Sequence, residues 1–253
     1  MAQPVAVVTG ASSGIGAATA VALGAAGYEV VLGARRVDKL TDVAHRIGDA
    51  GGSARVVELD VTDQASVDAL AAAVPQCDVL VNNAGGALGM ESVEGAVEDK
   101  WRWMYEVNVL GTLRVTRALL PALKVAKGAV ITIGSIAARQ NYPGGAGYNA
   151  AKHGERALTE VLRQEIAVDG VRVTEIDPGR VHTDFSLVRF DGDADKAERV
   201  YQGVESLTAE DVADVVAYCL GLPGHVNLDL ITMRPVAQGA QHALHRGPLA
   251  PRI

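Results

Sequence analysis

The sequence is poor in cysteine and in aromatic residues and has no excess of positive charge, and each shortage excludes a class of protein. Its two cysteines, Cys77 and Cys219, are too few for a disulfide framework and form no CxxC pair. We therefore expect both to be reduced and buried in a cytoplasmic protein. Ten aromatic residues among 253 leave Val, Ile, Leu and Ala to build the core. A net charge of −7 argues against nucleic acid or an anionic membrane as the main partner.

A metal site is not predicted from the scattered histidines and acids. His242 and His245 lie three residues apart, but no Cys or acidic side chain stands near them. The acidic segment 191–195 differs from a calcium loop, because Gly192 occupies its second place and position 202, the twelfth, is not Glu.

The first 28 residues contain no charged side chain, a feature shared by signal peptides and membrane helices. A basic segment is missing, however, and the polar stretch 9–14 interrupts an apolar run that would need about 20 residues to span a bilayer. We interpret this region as a strand, a glycine turn and a helix, and we expect no membrane partner.

Short apolar runs rich in Val and Ile recur along the chain, separated by longer helix-like segments. Their residues do not alternate with polar ones, which is typical of a parallel sheet covered on both faces. We predict a single doubly wound α/β domain of the Rossmann type with a seven-stranded parallel sheet over residues 1–238. Residues 239–253 would form a C-terminal arm, loose or docked on a neighbouring subunit. The predicted strands are 5–9, 28–34, 54–60, 78–82, 129–134, 171–177 and 228–233.

A glycine-rich turn follows the first predicted strand and opens a helix of small residues. Glycines let the backbone approach an anion closely, and a helix N-terminus offers free N–H groups and a positive dipole end. The spacing GxxxGxG in a strand–turn–helix is typical of a dinucleotide site. The predicted cofactor contacts in this turn are Gly10, Ser12, Ser13, Gly14, Ile15 and Gly16.

The same turn also fits the GxSxG nucleophile elbow of hydrolases, with Ser12 as the nucleophile. That alternative requires an acid and then a histidine downstream. Asp177 and His182 have the right order, but they are only five residues apart. It also leaves the motifs described below unexplained.

Two arginines, Arg35 and Arg36, follow the second predicted strand, where NAD-preferring sites carry an acid about 20 residues after the glycines. Guanidinium groups bind phosphate in a bidentate manner. We therefore predict NADP(H) as the cofactor, with its 2′-phosphate at these arginines. Further cofactor contacts are predicted at the ends of the third and fourth strands, at Asp60, Val61, Asn82, Ala84 and Gly85.

The candidate chemistry lies on Ser135, Tyr148 and Lys152. Ser135 follows the fifth predicted strand, and Tyr148 and Lys152 share one face of a helix because they are four residues apart. A phenol titrates near pH 10, and a neighbouring ammonium lowers that pKa. Tyr148 can then exchange a proton with an alcohol or carbonyl oxygen that Ser135 holds, while Lys152 reaches the ribose of the cofactor.

Six features together carry a resemblance to a known family: the glycine turn, the segment 82–85, Asn108, Ser135, the YxxxK pair and the segment 178–183. With them the sequence resembles the short-chain dehydrogenases/reductases over the chain up to about residue 238. The resemblance implies a catalytic tetrad in which Asn108 anchors a water that relays protons to Lys152. It also implies a homotetramer formed through the helices near 98–120 and 148–168. Residues that would flank the nicotinamide are Pro178, Gly179, Val181 and Thr183.

Segments 83–91, 188–201 and 207–227 resemble the NADP-dependent 3-hydroxy acid dehydrogenases, a group acting on serine, allo-threonine and 3-hydroxypropionate or malonic semialdehyde. A carboxylate substrate needs a cation, and Arg180 is our first candidate, ahead of Arg139 and Arg189. The charged segment 184–206 is predicted to be a mobile lid. Two alternatives stay open: a broad-specificity carbonyl reductase for neutral ketones, and an NADP-binding regulator without turnover.

Overall fold

A computed structural model describes residues 2–249 and contains one sheet of seven parallel strands in the order β3-β2-β1-β4-β5-β6-β7. The predicted doubly wound fold is therefore confirmed, with strand ends that differ from the prediction by a few residues at most. The strands are β1 (Val5–Thr9), β2 (Glu29–Ala34), β3 (Ser53–Glu58), β4 (Val79–Asn82), β5 (Ala129–Ile133), β6 (Arg172–Pro178) and β7 (Leu230–Met233).

Helices cover both faces of the sheet, which explains why the strands are apolar without alternation. One buried cluster packs the sheet against helices α1, α2 and α9, and a second packs the opposite face against α3, α5 and the end of α6. Cys77 and Cys219 are free cysteines and are buried, one in each cluster, as predicted. The helices are α1 (Gly14–Ala25), α2 (Val37–Asp49), α3 (Gln64–Ala73), α4 (Glu98–Tyr105), α5 (Gly111–Ala126), α6 (Ala146–Ile166), α7 (Phe185–Arg189), α8 (Ala194–Tyr201) and α9 (Ala209–Leu220).

The strand order reverses beside β1, where β2 lies on one side and β4 on the other. In open α/β sheets the crevice outside the carboxyl ends of the strands at such a reversal binds ligands. The predicted helix over 98–120 is instead interrupted by a π-helical segment, Glu106–Leu110, between α4 and α5. Asn108 lies in this segment, and π-helical turns are frequent at functional sites.

The beginning of the C-terminal arm packs on its own chain. The Gly239 N–H donates to the Ala243 carbonyl at 3.0 Å, the His245 N–H to Ala237 at 2.8 Å, and the Gly247 N–H to Gly203 at 2.8 Å. Residues 250–253 of the predicted arm lie outside the described part of the chain. Between residues 2 and 249, no helix combines the length and apolarity needed to cross a membrane.

Candidate active site

A cavity of about 890 Å³ opens at the carboxyl ends of the strands. Most of the predicted site residues line it, although they come from seven separate stretches of the chain. The predicted residues that do not line it are Gly16, Asn82, Asn108 and the candidate Arg139. Those that line it are Gly10, Ser12, Ser13, Gly14, Ile15, Arg35, Arg36, Asp60, Val61, Ala84, Gly85, Ser135, Tyr148, Lys152, Pro178, Gly179, Arg180, Val181 and Thr183.

The glycine turn is shaped for close approach of a ligand. Gly14 has a φ of +54°, in the left-handed region that favours glycine, and it begins helix α1. Gly16 lies beneath the turn, where a Cβ atom would collide with the carbonyl oxygen of Gly10. The first turn of α1 therefore lies directly against the loop, and its residues Gly14 and Ile15 line the cavity, where a helix N-terminus can bind phosphate. These features fit a dinucleotide cofactor.

The two asparagines at the end of β4 have different surroundings, and the role of Asn82 in cofactor binding stays a prediction. Asn82 is buried and donates from Nδ2 to Thr116 Oγ1 at 2.8 Å, so it joins β4 to α5 and does not line the cavity. Asn83 lines the cavity instead and donates from Nδ2 to the Thr9 carbonyl at 2.9 Å. Neighbouring strand residues face opposite sides, so a shift of one residue exchanges the two roles.

Arg36 extends over the glycine turn. Its Nη2 donates to Ser12 Oγ at 3.0 Å and to Ser13 Oγ at 2.8 Å. Arg35 and Arg36 are exposed and line the cavity, and neither forms a salt bridge with a carboxylate within the described residues. Two exposed guanidinium groups beside a phosphate-type turn fit a cofactor that carries a 2′-phosphate.

Ser135 and Tyr148 meet at the inner end of the cavity. The Ser135 side chain lies close enough to Tyr148 to lower its pKa, and Ser135 Oγ accepts from the Ala137 N–H at 3.1 Å. Ser135 itself is held by its backbone N–H, which donates to Asp177 Oδ1 at 2.9 Å. The ring of Phe185 packs against Tyr148 with 5.5 Å between the ring centroids. The two hydroxyls thus form a fixed pair facing the cavity.

The pKa of Tyr148 is raised, in contrast to the lowered value expected from the neighbouring ammonium. Burial of the phenol is the largest cause, and Tyr142 and Glu155 raise the pKa further. Lys152 and the hydrogen bond from Ser135 lower it, as expected, but they do not outweigh the burial. The neutral phenol is therefore the favoured form in the structure.

Lys152 is buried, with 5% of its surface exposed. Its ion-pair partner, Glu155, was not among the predicted site residues. Lys152 Nζ lies 2.5 Å from Glu155 Oε2 and donates to the Ile133 carbonyl at 3.0 Å. Burial tends to lower the pKa of Lys152, but Glu155 outweighs this effect with help from Tyr148 and Asp177, and the pKa is raised. The side chain is thus an ammonium held in an ion pair.

Two further buried carboxyls, Glu175 and Asp177, extend from β6 beneath Ser135. Arg139 binds both, with Nε 2.5 Å from Asp177 Oδ2 and Nη2 3.5 Å from Glu175 Oε2. Burial and the charge of Asp177 raise the pKa of Glu175 to about 8. Arg139 is therefore engaged in an internal ion pair, which leaves it poorly placed to bind a substrate.

Asn108 lies behind the cavity wall at 0% exposure. Its Nδ2 donates to the Gly86 carbonyl at 2.9 Å, and its Oδ1 accepts from the Gly86 N–H at 3.2 Å. Its own carbonyl accepts from Thr112 Oγ1 at 2.9 Å. In this arrangement Asn108 fixes the loop after β4, and its role in a water relay stays a prediction.

Two of the candidate arginines, Arg180 and Arg189, line the cavity. Arg189 donates from Nη1 to the Tyr142 hydroxyl at 2.9 Å, and its Cζ lies 5.8 Å from the centre of the Tyr148 ring. Arg180 binds the Val200 carbonyl through Nη1, and its Nε has no hydrogen-bond partner among the described residues. Burial and the charge of Arg246 lower the pKa of Arg180. Of the two arginines, Arg189 is the one that contacts the Tyr148 ring.

The segment 184–206 forms α7 and α8 over the cavity, and its mobility stays a prediction. The C-terminal arm also lines this cavity, a contact that the sequence pattern did not predict. Gln238 Oε1 accepts from the Arg180 N–H at 2.8 Å, and Gln140 Oε1 accepts from the Gln241 N–H at 3.2 Å. Arm residues in the cavity wall are Gln241, His242, Leu244 and Arg246.

The residues that a hydrolase triad would need have other partners. Ser12 Oγ accepts from Arg36, and Asp177 binds Arg139. His182 stacks on Tyr201, with 4.3 Å between ring centroids. This geometry disfavours the nucleophile-elbow interpretation.

Comparison with known proteins gives matches over most of the chain. The profile of the short chain dehydrogenase family matches residues 4–193. An uncharacterized oxidoreductase of Mycobacterium tuberculosis is 55% identical over 244 residues, covering 95% of each chain. The NADP-dependent 3-hydroxy acid dehydrogenase of Escherichia coli is 39% identical over 237 residues, covering 91% of this chain and 94% of that protein. The closed form of a serine dehydrogenase complexed with NADP⁺ has a TM-score of 0.89 and 37% identity, covering 98% of this chain and 100% of that one.

Proposed function

The chain belongs to the short-chain dehydrogenase family and is an NADP-dependent oxidoreductase, and from this premise we propose that it interconverts a small 3-hydroxy acid and its semialdehyde. The observation that carries the proposal is the meeting of Ser135, Tyr148 and Lys152 in the cavity, with the Arg189 guanidinium beside Tyr148. The first three residues suit proton transfer at an alcohol or carbonyl oxygen, and the arginine suits a nearby carboxylate.

When bound, the nicotinamide supplies or accepts the hydride. In our proposal Ser135 donates a hydrogen bond to the substrate oxygen and orients it toward Tyr148. Tyr148 donates its phenolic proton to that oxygen during carbonyl reduction and accepts a proton during alcohol oxidation. Lys152 holds the ribose and stabilises the phenolate that forms when Tyr148 has given up its proton.

Recognition of the acid is assigned in this proposal to Arg189, with Arg180 kept as the second candidate. Arg189 is 9% exposed and forms no salt bridge with an Asp or Glu among residues 2–249. A buried cation without a carboxylate partner is costly, and a bound carboxylate relieves that cost. Its place beside the Tyr148 ring suits an acid group close to the reacting carbon.

The proposal is tested by absorbance at the reduced-nicotinamide band. NADP⁺ is offered with serine, allo-threonine, 3-hydroxypropionate and two neutral alcohols. We expect turnover selective for the acids. Turnover on neutral alcohols alone would contradict the hydroxy-acid assignment and leave the proton-transfer chemistry intact.

Carboxylate recognition is tested with Arg189→Leu and Arg180→Leu on an acid and on its methyl ester. Loss of a charged hydrogen bond worth about 1.5–3 kcal/mol lowers kcat/KM roughly 10- to 100-fold. For Arg189→Leu we expect this loss on the acid and a much smaller one on the ester. Equal losses on both substrates would remove Arg189 from carboxylate recognition, and an acid-selective loss in Arg180→Leu would transfer the role to that residue.

A broad-specificity reductase of neutral ketones is the second candidate. It is favoured by the apolar side chains in the cavity wall, Met90, Trp103, Phe185, Val188 and Phe190. Higher kcat/KM for neutral ketones than for semialdehydes would select it. A regulator without turnover would bind NADPH and show no activity on either class.

We further propose a cytoplasmic homotetramer with a catalytic domain over 1–238 and an arm over 239–253. The exposed side chains of Tyr105 and Leu113, on α4 and α5, support a contact surface there. Light scattering after size-exclusion chromatography tests the subunit number. A monomer at micromolar concentration would contradict the tetramer.

A further inference from the structure

The buried ion pair between Lys152 and Glu155 is not used by the proton-transfer chemistry described above. Lys152 and Glu155 are three residues apart on α6, so they lie on one face of the helix. Their side chains are 6% and 2% exposed, and the charged atoms are 2.5 Å apart. An isolated lysine at this depth favours its neutral form.

Glu155 is itself fixed from a second helix. Thr112 Oγ1, on α5, lies within hydrogen-bond distance of Glu155 Oε1 at 3.2 Å and of the Asn108 carbonyl at 2.9 Å, and its one proton is shared between these two acceptors. The pKa of Glu155 is raised, because burial outweighs the lowering by Lys152 and Thr112. The carboxylate therefore depends on the ammonium for its charge, as the ammonium depends on the carboxylate.

The other charged groups around the pair do not replace Glu155. Asp177 and Glu175 on β6 are bound by Arg139, and Glu175 is the carboxyl whose pKa is raised to about 8. Arg139 therefore balances the charge of Asp177 only in part, since Asp177 still raises the pKa of Lys152. On the cavity side, Tyr148 is a neutral phenol and Arg189 adds positive charge beside its ring.

Resting on the proposed function, we propose that Glu155 is a positioning residue that holds the Lys152 side chain beside Tyr148 in its charged form. Lys152 has one further acceptor, the Ile133 carbonyl at 3.0 Å, which orients the ammonium but carries no formal charge. Glu155 is the carboxylate within ion-pair distance of Lys152 among residues 2–249. Without it, burial of the lysine is opposed only by the weaker effects of Tyr148 and Asp177 on its pKa.

The direct test measures the protonation of Lys152 without requiring turnover. Acetic anhydride reacts with the neutral amine, so the labelled fraction of Lys152, read by mass spectrometry across pH, reports its ionisation. In Glu155→Gln we expect the half-labelling pH of Lys152 to fall by about one unit or more. The five other lysines serve as internal references. An unchanged half-labelling pH would overturn the proposal.

Glu160→Gln is the matched control, because it makes the same change on the same helix in an exposed pair with Arg156. We expect it to leave Lys152 labelling unchanged. If Glu155→Gln does not fold, Glu155→Asp carries the test, since its shorter carboxylate should give an intermediate shift. A folded Glu155→Asp that labels like the wild-type protein would then overturn the proposal.

Activity gives a second readout that a merely structural role would not move. In Glu155→Gln the loss of carbonyl reduction with rising pH should begin at lower pH, because Lys152 gives up its proton earlier. A fall in rate at all pH values with an unmoved profile would contradict the proposal. Faster alcohol oxidation at pH 7 would also contradict it, by showing that Glu155 only offsets the ammonium's effect on Tyr148. If no substrate turns over, the proposed function fails while the labelling experiment still decides the role of Glu155.

Discussion

Replacing both arginines after β2, in the variant Arg35→Asp with Arg36→Val, should exchange the cofactor preference. Both guanidinium groups are exposed, so we take the lower end of the 1.5–3 kcal/mol range for a hydrogen bond to a charged group. Two such losses amount to about 3 kcal/mol, or roughly a 100-fold weaker Kd for NADPH. The aspartate can accept from a ribose 2′-hydroxyl, so NADH binding should weaken less or improve.

The assay is a fluorescence titration with NADPH and with NADH, and the quantity compared is the ratio of the two Kd values. This ratio matters because Arg36 also holds Ser12 and Ser13, so its loss can loosen the glycine turn for either cofactor. Arg46→Gln, at an exposed arginine near the end of α2, removes one positive charge elsewhere and should leave the ratio unchanged. A ratio that stays within about threefold of the wild-type value in the double variant would refute the assignment of the 2′-phosphate.

Three predictions concern stability. The pKa of Glu175 is raised from 4.5 to about 8 in the folded protein. Between these two pH values the folded state keeps a proton on Glu175 that the unfolded state loses. The free energy of unfolding therefore falls by up to about 1.4 kcal/mol per pH unit as pH rises. Glu175→Gln should lessen the fall in Tm between pH 5 and pH 8, and an equal fall would contradict this. Thr208→Ala breaks the capping box with Asp211 at the start of α9 and should cost about 1 kcal/mol in urea unfolding; no change would mean that the cap is not formed. Arg139→Leu leaves Asp177 buried without its cation and should cost about 3–5 kcal/mol, whereas a neutral effect would refute the ion pair.

The sheet and the glycine turn could be predicted because their signals are local. Buried parallel strands are continuous Val and Ile runs, and a turn that approaches a ligand needs glycine at fixed spacing. Ser135, Tyr148 and Lys152 were also predictable, since a strand end and a helix start fix their positions. Which of Asn82 and Asn83 faces the cavity could not be predicted, because strand alternation at the last residue depends on where pairing stops.

The remainder of the site depends on tertiary contacts that carry no local signal. Gln238 and Arg246 lie in an irregular segment without periodicity, so nothing in their spacing indicates the cavity. Glu155 has the appearance of a solvent-facing acid on an amphipathic helix, although its spacing of three from Lys152 was a usable signal. The raised pKa of Tyr148 results from burial, which a sequence motif does not measure.

The most direct test of the account compares the wild-type protein with Tyr148→Phe, measuring NADPH binding and turnover separately. The phenylalanine keeps the ring that packs on Phe185 and removes the hydroxyl that meets Ser135. We predict nearly unchanged NADPH affinity and a loss of kcat of at least about 100-fold, as expected when a general acid is removed. Retained turnover in Tyr148→Phe would contradict the assignment of Tyr148 as the acid and base.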